Sequence, residues 1–176
     1  MNSSPKTLYR VVDSRFSVRE ALSGEGARIA GGRWNQKNKS VVYCSETGSL
    51  AMLEKLTAIA HEVRGKVFQL LSIHFSRESF GGIREVSPKE LPKNWQEYPD
   101  PPDTRELGTK LLEEVARGGE EEAANYIKII AVPSVICPIE KNFLVDPLII
   151  ESLLKQVGDL KEVVEVRKFT FDERIL

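Results

Sequence analysis

The chain has 176 residues, of which 41% are hydrophobic and 29% charged, and its 25 Lys and Arg residues nearly balance 26 Asp and Glu residues. A chain of this length buries roughly 70% of its unfolded surface, which supports one well-packed domain. The balanced charge argues against a general nucleic-acid binder, so we expect no direct nucleic-acid partner. The two cysteines, Cys44 and Cys137, lie outside any CxxC spacing, which argues against a zinc site and a disulfide-stapled secreted domain.

The sequence shows neither a membrane anchor nor an export signal. Its longest apolar runs, such as 127–135, are about half the length needed to cross a bilayer. The segment MNSSPKTLYR lacks the apolar stretch of a signal peptide. We therefore expect a cytoplasmic protein with no membrane partner. The only histidines, His61 and His74, have no carboxylate or cysteine at ligand spacing, so we expect no metal site.

Short strands and helices follow one another irregularly in the first half of the chain. β-branched and aromatic runs predict strands over 8–12, 41–44 and 67–75. Helix formers predict one or two helical turns over 17–22 and a longer helix over 49–61, with a Gly-rich passage over 24–32 between them.

The second half has the same mixed character. Prolines predict a loop over 98–103, and Asp103 or Thr104 would cap a helix that ends near 117, before Gly118 and Gly119. Further strands are predicted over 127–132, 134–137, 143–145 and 163–171, and a helix over 149–157. Since the order is not a strict βαβ alternation, we predict an α+β fold with much antiparallel pairing, in one domain over residues 1–176.

Residues 28–54 concentrate the side chains that could bind an anion. Gly31 and Gly32 permit backbone conformations that other residues resist, and they let the chain approach a ligand closely. Arg33 follows at once, and a guanidinium on a glycine turn can clamp a phosphate or pyrophosphate through two hydrogen bonds. Tyr43 lies ten residues later, in a predicted strand.

Glu54 is the candidate acidic group. Its helix carries an apolar stripe at helical spacing, formed by Leu50, Leu53, Thr57 and Ala60. Glu54 lies about 40° from Leu50 around the helical wheel, at the edge of this stripe, where a carboxylate is costly unless paired. Lys55 is expected to face solvent. A structural role also explains Arg33, Tyr43 or Glu54 taken singly, so the spacing alone leaves the function open.

Several short motifs resemble the RES domain family, in the order typical of that family. They are LYR at 8–10, GEGAR at 24–28, GGRWN at 31–35, VVYCS at 41–45, LAMLE at 50–54, VPS at 132–134 and NFLVDP at 142–147. The motif-bearing region, about 8–147, covers most of the chain. The chain departs from residues common in the family at Ala30, Ser40 and Lys110.

The resemblance implies specific site residues. The Arg, Glu and Ser for which the family is named would be Arg33, Glu54 and Ser134, with Tyr43 as a fourth catalytic pocket residue. Ser134 would support the site through hydrogen bonds. NAD would be the substrate, with no separate cofactor. It would contact Arg33 and Tyr43, and Arg10 and Arg28 are further candidates for substrate contact, for which a surface role is the alternative.

The resemblance also implies a fold and a function. The fold would be similar to that of ADP-ribosyltransferase toxins, with mostly antiparallel sheets and flanking helices. The protein would be an NAD-consuming toxin that breaks the nicotinamide–ribose bond, with water or phosphate as the acceptor. The alternatives are a mono-ADP-ribosyltransferase acting on a protein and a catalytically inert binding module. The expected partner is an Xre-type helix-turn-helix antitoxin, and self-association into a homo-oligomer is a further option. The neutral charge does not favour an RNA-cleaving toxin.

Overall fold

Seven strands and six helices form within the residues that the computed structural model describes, namely 6–59, 62–75, 83–121 and 129–175. The strands are β1 (Lys6–Asp13), β2 (Val42–Ser45), β3 (Phe68–Phe75), β4 (Ile83–Glu85), β5 (Ile129–Pro133), β6 (Lys141–Val145) and β7 (Val164–Phe169). The helices are α1 (Val18–Ala21), α2 (Glu25–Ala30), α3 (Gly48–Ile59), α4 (Pro102–Glu121), α5 (Pro147–Val157) and α6 (Leu160–Val163).

All seven strands belong to one sheet in the order β4-β5-β6-β2-β1-β3-β7. β4 and β5 run parallel, and the other neighbouring pairs are antiparallel. β1 pairs with β3 along its whole length, but it meets β2 at the single registered pair Tyr9↔Ser45. We call this narrow junction the seam. The predicted α+β class with mostly antiparallel pairing is confirmed, although the strands form one sheet and not several.

Alternating side chains of the strands pack against helices on both faces of the sheet. On one face, Phe143 of β6 packs with residues of α5 such as Ile150. On the other face, the next residue of β6, Leu144, packs with Trp34 and with side chains of α4. A third cluster lies under α3 and includes Phe68. The segment around Trp34 is therefore fixed between α4 and the sheet, which positions the residues on either side of it.

The structure differs from the prediction at two segments, the Gly-rich passage over 24–32 and the predicted strand over 134–137. The Gly-rich passage contains α2, which begins after Gly24 in a left-handed conformation (φ 71°) and carries an ion pair between Glu25 and Arg28. The predicted strand 134–137 is a turn. The Ser134 hydroxyl accepts hydrogen bonds from the backbone N–H groups of Ile136 and Cys137, which replaces pairing in the sheet.

The long helix α4 also extends past its predicted limits. It begins at Pro102, because the fixed φ of proline suits the first helical turn, and it continues through Gly118 and Gly119 to Glu121. A glycine inside a helix costs only about 1 kcal/mol, which the packing of α4 on the sheet offsets. The predicted helical residues 60–61 and strand residues 127–128 lie outside the described residues. Within the described ranges, no helix is long and apolar enough to cross a membrane.

Gly108 of α4 is required by a backbone contact. A Cβ atom at Gly108 would lie 2.2 Å from the main-chain oxygen of Trp34. We predict that Gly108→Ala lowers the free energy of unfolding by about 1–3 kcal/mol or more, measured by urea denaturation. Gly26→Ala is the control, since a Cβ atom there meets nothing within 4 Å and alanine favours the helix. Equal stability of Gly108→Ala and the wild type would contradict the contact.

Candidate active site

The loop from Gly31 to Asn35 is organised from within the protein. Gly31 has a φ of 73°, a conformation that favours glycine. A Cβ atom at Gly32 would lie 2.7 Å from the Tyr43 hydroxyl oxygen. Asn35 is fully buried, and its Nδ2 lies within hydrogen-bond distance of three main-chain oxygens, those of Ala27, Gln36 and Lys39. The double glycine therefore permits close packing of the loop on Tyr43, whereas the sequence suggested close approach to a ligand.

The hydroxyl of Tyr43 connects this loop to the sheet. It donates to Asn35 Oδ1 at 2.7 Å and accepts from the backbone N–H of Trp34 at 3.1 Å. Burial raises the pKa of Tyr43, so the phenol stays neutral at physiological pH. Tyr43 also lines the cleft, and its hydroxyl is already engaged in these two hydrogen bonds.

Arg33 holds a segment that we call the cover loop, residues 95–100. Its Nη1 donates to the main-chain oxygens of Trp95 (2.6 Å) and Glu97 (3.1 Å), and its Nη2 pairs with Asp100 Oδ1 at 2.7 Å. Arg33 lines the cleft as predicted. Three contacts to the protein nevertheless occupy much of its fork of donors, so the expected two-point phosphate clamp has few N–H groups left to use.

Glu54 of α3 is held through one carboxylate oxygen. Its Oε1 accepts hydrogen bonds from Ser134 Oγ at 3.0 Å and from Asn142 Nδ2. The Asn142 amide is itself oriented, because its Oδ1 accepts from Ser45 Oγ at 2.8 Å. Ser134 and Ser45 are both buried. Among the described residues no hydrogen bond is made to Glu54 Oε2, and Glu54 lines the cleft.

One face of α3 forms part of the cleft wall. Ala51, Glu54, Lys55 and Ala58 share this face at helical spacing. The predicted apolar stripe is correct at Leu50, which is fully buried, and wrong at Leu53 and Thr57, which are exposed, while Ala60 lies outside the described residues. Met52, Leu56 and Ile59 pack on the core instead. The predicted outward position of Lys55 was also wrong, because α3 packs on the sheet through a face rotated from the one expected.

The cleft consists of two adjoining cavities of about 760 and 290 Å³. Both are lined by Arg10, Tyr43, Glu54, Lys55 and Asn142. The larger one continues along the Gly31–Trp34 loop and the cover loop, and the smaller one extends to the seam between β1 and β2. The shared lining contains both cationic side chains, Arg10 and Lys55, and the carboxyl group of Glu54, which suits a ligand with charged groups.

Arg10 lies at the seam. Its Nη1 donates to the main-chain oxygen of Tyr43 at 2.7 Å, and its Nε is buried without a hydrogen-bond partner. Burial lowers the pKa of this guanidinium. Arg28, in contrast, forms a two-point ion pair with Glu25 on the surface of α2 and is not part of the cleft wall.

The structure thus brings five of the six predicted residues together. Arg10, Arg33, Tyr43 and Glu54 line the cleft, and Ser134 lies behind Glu54. Sequence reasoning missed three residues of the site, namely Ser45, Lys55 and Asn142. Ser45 and Asn142 lie in the motifs VVYCS and NFLVDP, which marked these segments but did not indicate what the two side chains do. Among the described residues, no group of three or more His, Cys, Asp or Glu side chains could hold a metal ion.

The residues of the candidate site all lie in the part of the chain that matches one protein family. The RES domain profile matches residues 7–158. Toxin Res of Yersinia enterocolitica is 32% identical over 168 residues, which cover 96% of this chain and 98% of that protein. Toxin Res of Photorhabdus laumondii is 31% identical over 141 residues, covering 80% and 81%. A Prs ADP-ribosylating toxin of Sphingobium is 28% identical over 166 residues, covering 93% and 92%. The chain belongs to the RES domain family.

The contact between Asn142 and Glu54 can be tested through stability. Asn142→Asp keeps the acceptor for Ser45 but replaces the donor to Glu54 by a second carboxylate. Two ionised carboxylates at this distance repel, and a shared proton relieves the repulsion. We predict that the variant loses about 1–3 kcal/mol of unfolding free energy at pH 8 and recovers much of it near pH 5, measured by urea denaturation.

Asn38→Asp is the matched control for this experiment, since it makes the same charge change in an exposed loop. It should show no comparable difference between the two pH values. A loss in Asn142→Asp that is the same at pH 8 and pH 5 would contradict a direct contact between the two side chains.

Proposed function

We propose that the protein is a toxin of the cytoplasm that consumes NAD by breaking the bond between nicotinamide and ribose. The observation that carries this proposal is the Glu54 carboxyl group, which lines the cleft and is fixed through Oε1 by two donors. Membership of the RES domain family and the toxin names of the relatives support it. NAD is the substrate and no separate cofactor is needed.

The chemistry of NAD cleavage suits a fixed carboxylate. The electron pair of the ribose C1′–N bond leaves with the pyridinium nitrogen, so nicotinamide departs as a neutral molecule and needs no general acid. The ribose passes through an oxocarbenium-like state that carries positive charge. A preorganised carboxylate next to it stabilises that charge in the transition state. We assign this role to Glu54. Ser134 and Asn142 hold the carboxylate in place, and Tyr43 forms a wall at the nicotinamide–ribose end.

The acceptor completes the reaction. Attack of water at C1′ gives ADP-ribose, nicotinamide and one released proton, whereas attack of phosphate gives ADP-ribose 1″-phosphate and nicotinamide. Transfer to a protein side chain is the second candidate, and the relative named Prs ADP-ribosylating toxin favours considering it. Incubation of the purified protein with NAD, with and without phosphate, followed by product analysis, distinguishes these acceptors.

Glu54→Gln tests the catalytic assignment. Glutamine is nearly isosteric and its Oε1 can still accept from Ser134 and Asn142, so the fold should be retained. The oxocarbenium charge loses its partner, and we predict a fall in kcat for NAD cleavage of at least about 30-fold, equivalent to 2 kcal/mol or more. The exposed Glu151→Gln on α5 is the matched control and should retain wild-type turnover.

Two outcomes would overturn this view. Turnover of Glu54→Gln within about threefold of the wild type would remove Glu54 from catalysis. Binding of NAD by the wild type without any cleavage would identify an inert binding module instead of an enzyme.

We also propose a partner. An Xre-type helix-turn-helix antitoxin would silence the enzyme by filling the mouth of the cleft, with a carboxylate on the cleft cations. We predict that a helix-turn-helix protein encoded in the neighbouring reading frame abolishes NAD turnover in the complex, and that NAD or ADP-ribose competes with it. Tight binding that leaves turnover unchanged and resists displacement by either nucleotide would refute a shared site.

A further inference from the structure

Arg10 is a buried cation without a counter-charge. Within the described part of the chain it forms no ion pair, and its hydrogen bond goes to a main-chain oxygen. Burial lowers the pKa of Arg10, and the titratable side chains that oppose this shift are Cys44 and Tyr43. Burial raises the pKa of Cys44 to about 12 and also raises that of Tyr43, so both are neutral at pH 7. Neither group compensates the guanidinium.

Lys55 brings a second cation to the same wall. It is partly buried, and its Nζ lies 5.9 Å from the ring centroid of Phe68. Desolvation lowers its pKa, and repulsion from Arg10 lowers it further. Two carboxylates that do not line the cleft raise the pKa of Lys55, and Lys66 lowers it. The two carboxylates are already engaged in ion pairs, Asp13 with Arg15 at 2.9 Å and Glu62 with Lys66 at 3.0 Å.

Two cations that share a partly dehydrated wall raise each other's free energy. Most other charged contacts in the described ranges follow the opposite pattern, since residues such as Arg33, Lys66 and Arg84 are paired with carboxylates. Arg10 and Lys55, in contrast, line the same cleft, and neither forms an ion pair with another described residue. An anionic ligand would supply the missing counter-charge.

We propose that Arg10 and Lys55 form the site for the diphosphate group of a nucleoside diphosphate ligand. This rests on the function proposed above and adds Lys55, which no sequence motif singled out, as a binding residue. Arg33 acts differently, because it holds the cover loop next to the cleft. The diphosphate is bound by Arg10 and Lys55 instead.

The position of the pair next to Glu54 fits the structure of a dinucleotide. The diphosphate of NAD is joined to the nicotinamide ribose through one methylene group, so its site must adjoin the site of the ribose. Lys55 follows Glu54 on the same face of α3, and Arg10 lines both cavities together with Glu54. A guanidinium and an ammonium also suit two phosphate groups, one with a planar fork and one with a point charge.

Lys55→Gln tests the proposal with the full chain. Affinity for ADP-ribose is measured by calorimetry, and NAD turnover is measured by nicotinamide release. We expect the dissociation constant for ADP-ribose and the KM for NAD each to rise at least about tenfold, while kcat stays within about threefold. Lys168→Gln on β7 is the matched control, since it removes the same charge from an exposed position and should change neither quantity.

Inorganic phosphate is titrated in parallel, in order to distinguish a site for free phosphate from a site for the diphosphate of ADP-ribose. Weaker binding of phosphate with unchanged ADP-ribose affinity would assign the pair to a free acceptor phosphate and overturn the diphosphate site. Unchanged affinity for both ligands, or no ADP-ribose binding by the wild type, would overturn it as well. Lys55-dependent ADP-ribose binding by a wild-type protein that does not cleave NAD would keep the site and refute the proposed function.

Discussion

Two hydrogen bonds to one oxygen of Glu54 connect parts of the chain that are far apart in sequence. Ser134 is separated from Glu54 by 80 residues and Asn142 by 88. The bonds tie α3 to the turn after β5 and to the start of β6, and Ser45 extends the connection to β2. Both donors are neutral side chains, and together they restrict the rotation of the carboxyl group. A preorganised charge of this kind needs no rearrangement when positive charge develops nearby.

The residues around Glu54 divide into those that face the cleft and those that build it. Arg33 and Tyr43 are prominent in the sequence, yet their polar atoms largely contact the protein itself. Arg33 fixes the cover loop, and Tyr43 fixes the loop before β2. Arg33 and Tyr43 can thus shape the cleft through contacts within the protein. Substitution of either residue would shift the loop that it holds.

The sequence predicted the fold class because strand and helix periodicity is local information. β3 and α5 were found nearly residue for residue, since each has a continuous apolar pattern and α5 ends at Gly158. The strand at 134–137 was mispredicted because the Ser134 hydroxyl accepts hydrogen bonds from the backbone N–H groups of Ile136 and Cys137, which replace sheet pairing. A hydrophobicity pattern does not reveal such bonds. The orientation of α3 was missed for a related reason. Apolar residues lie on more than one face of this helix, so only packing on the sheet decides that Lys55 faces the cleft and Leu53 the solvent.

The order of charges along the cleft determines which nucleotide it favours, if the diphosphate lies on Arg10 and Lys55. Oxidised NAD carries a cationic pyridinium at one end of the nicotinamide ribose and an anionic diphosphate at the other. Glu54 would meet the positive end and the two cations the negative one. The reduced dinucleotide has a neutral dihydronicotinamide and loses the first attraction. ADP-ribose loses it too once nicotinamide has left, while it keeps the second. If NAD is the substrate as proposed, the carboxylate would discriminate by charge at the reacting end, and the cation pair would contribute affinity that substrate and product share.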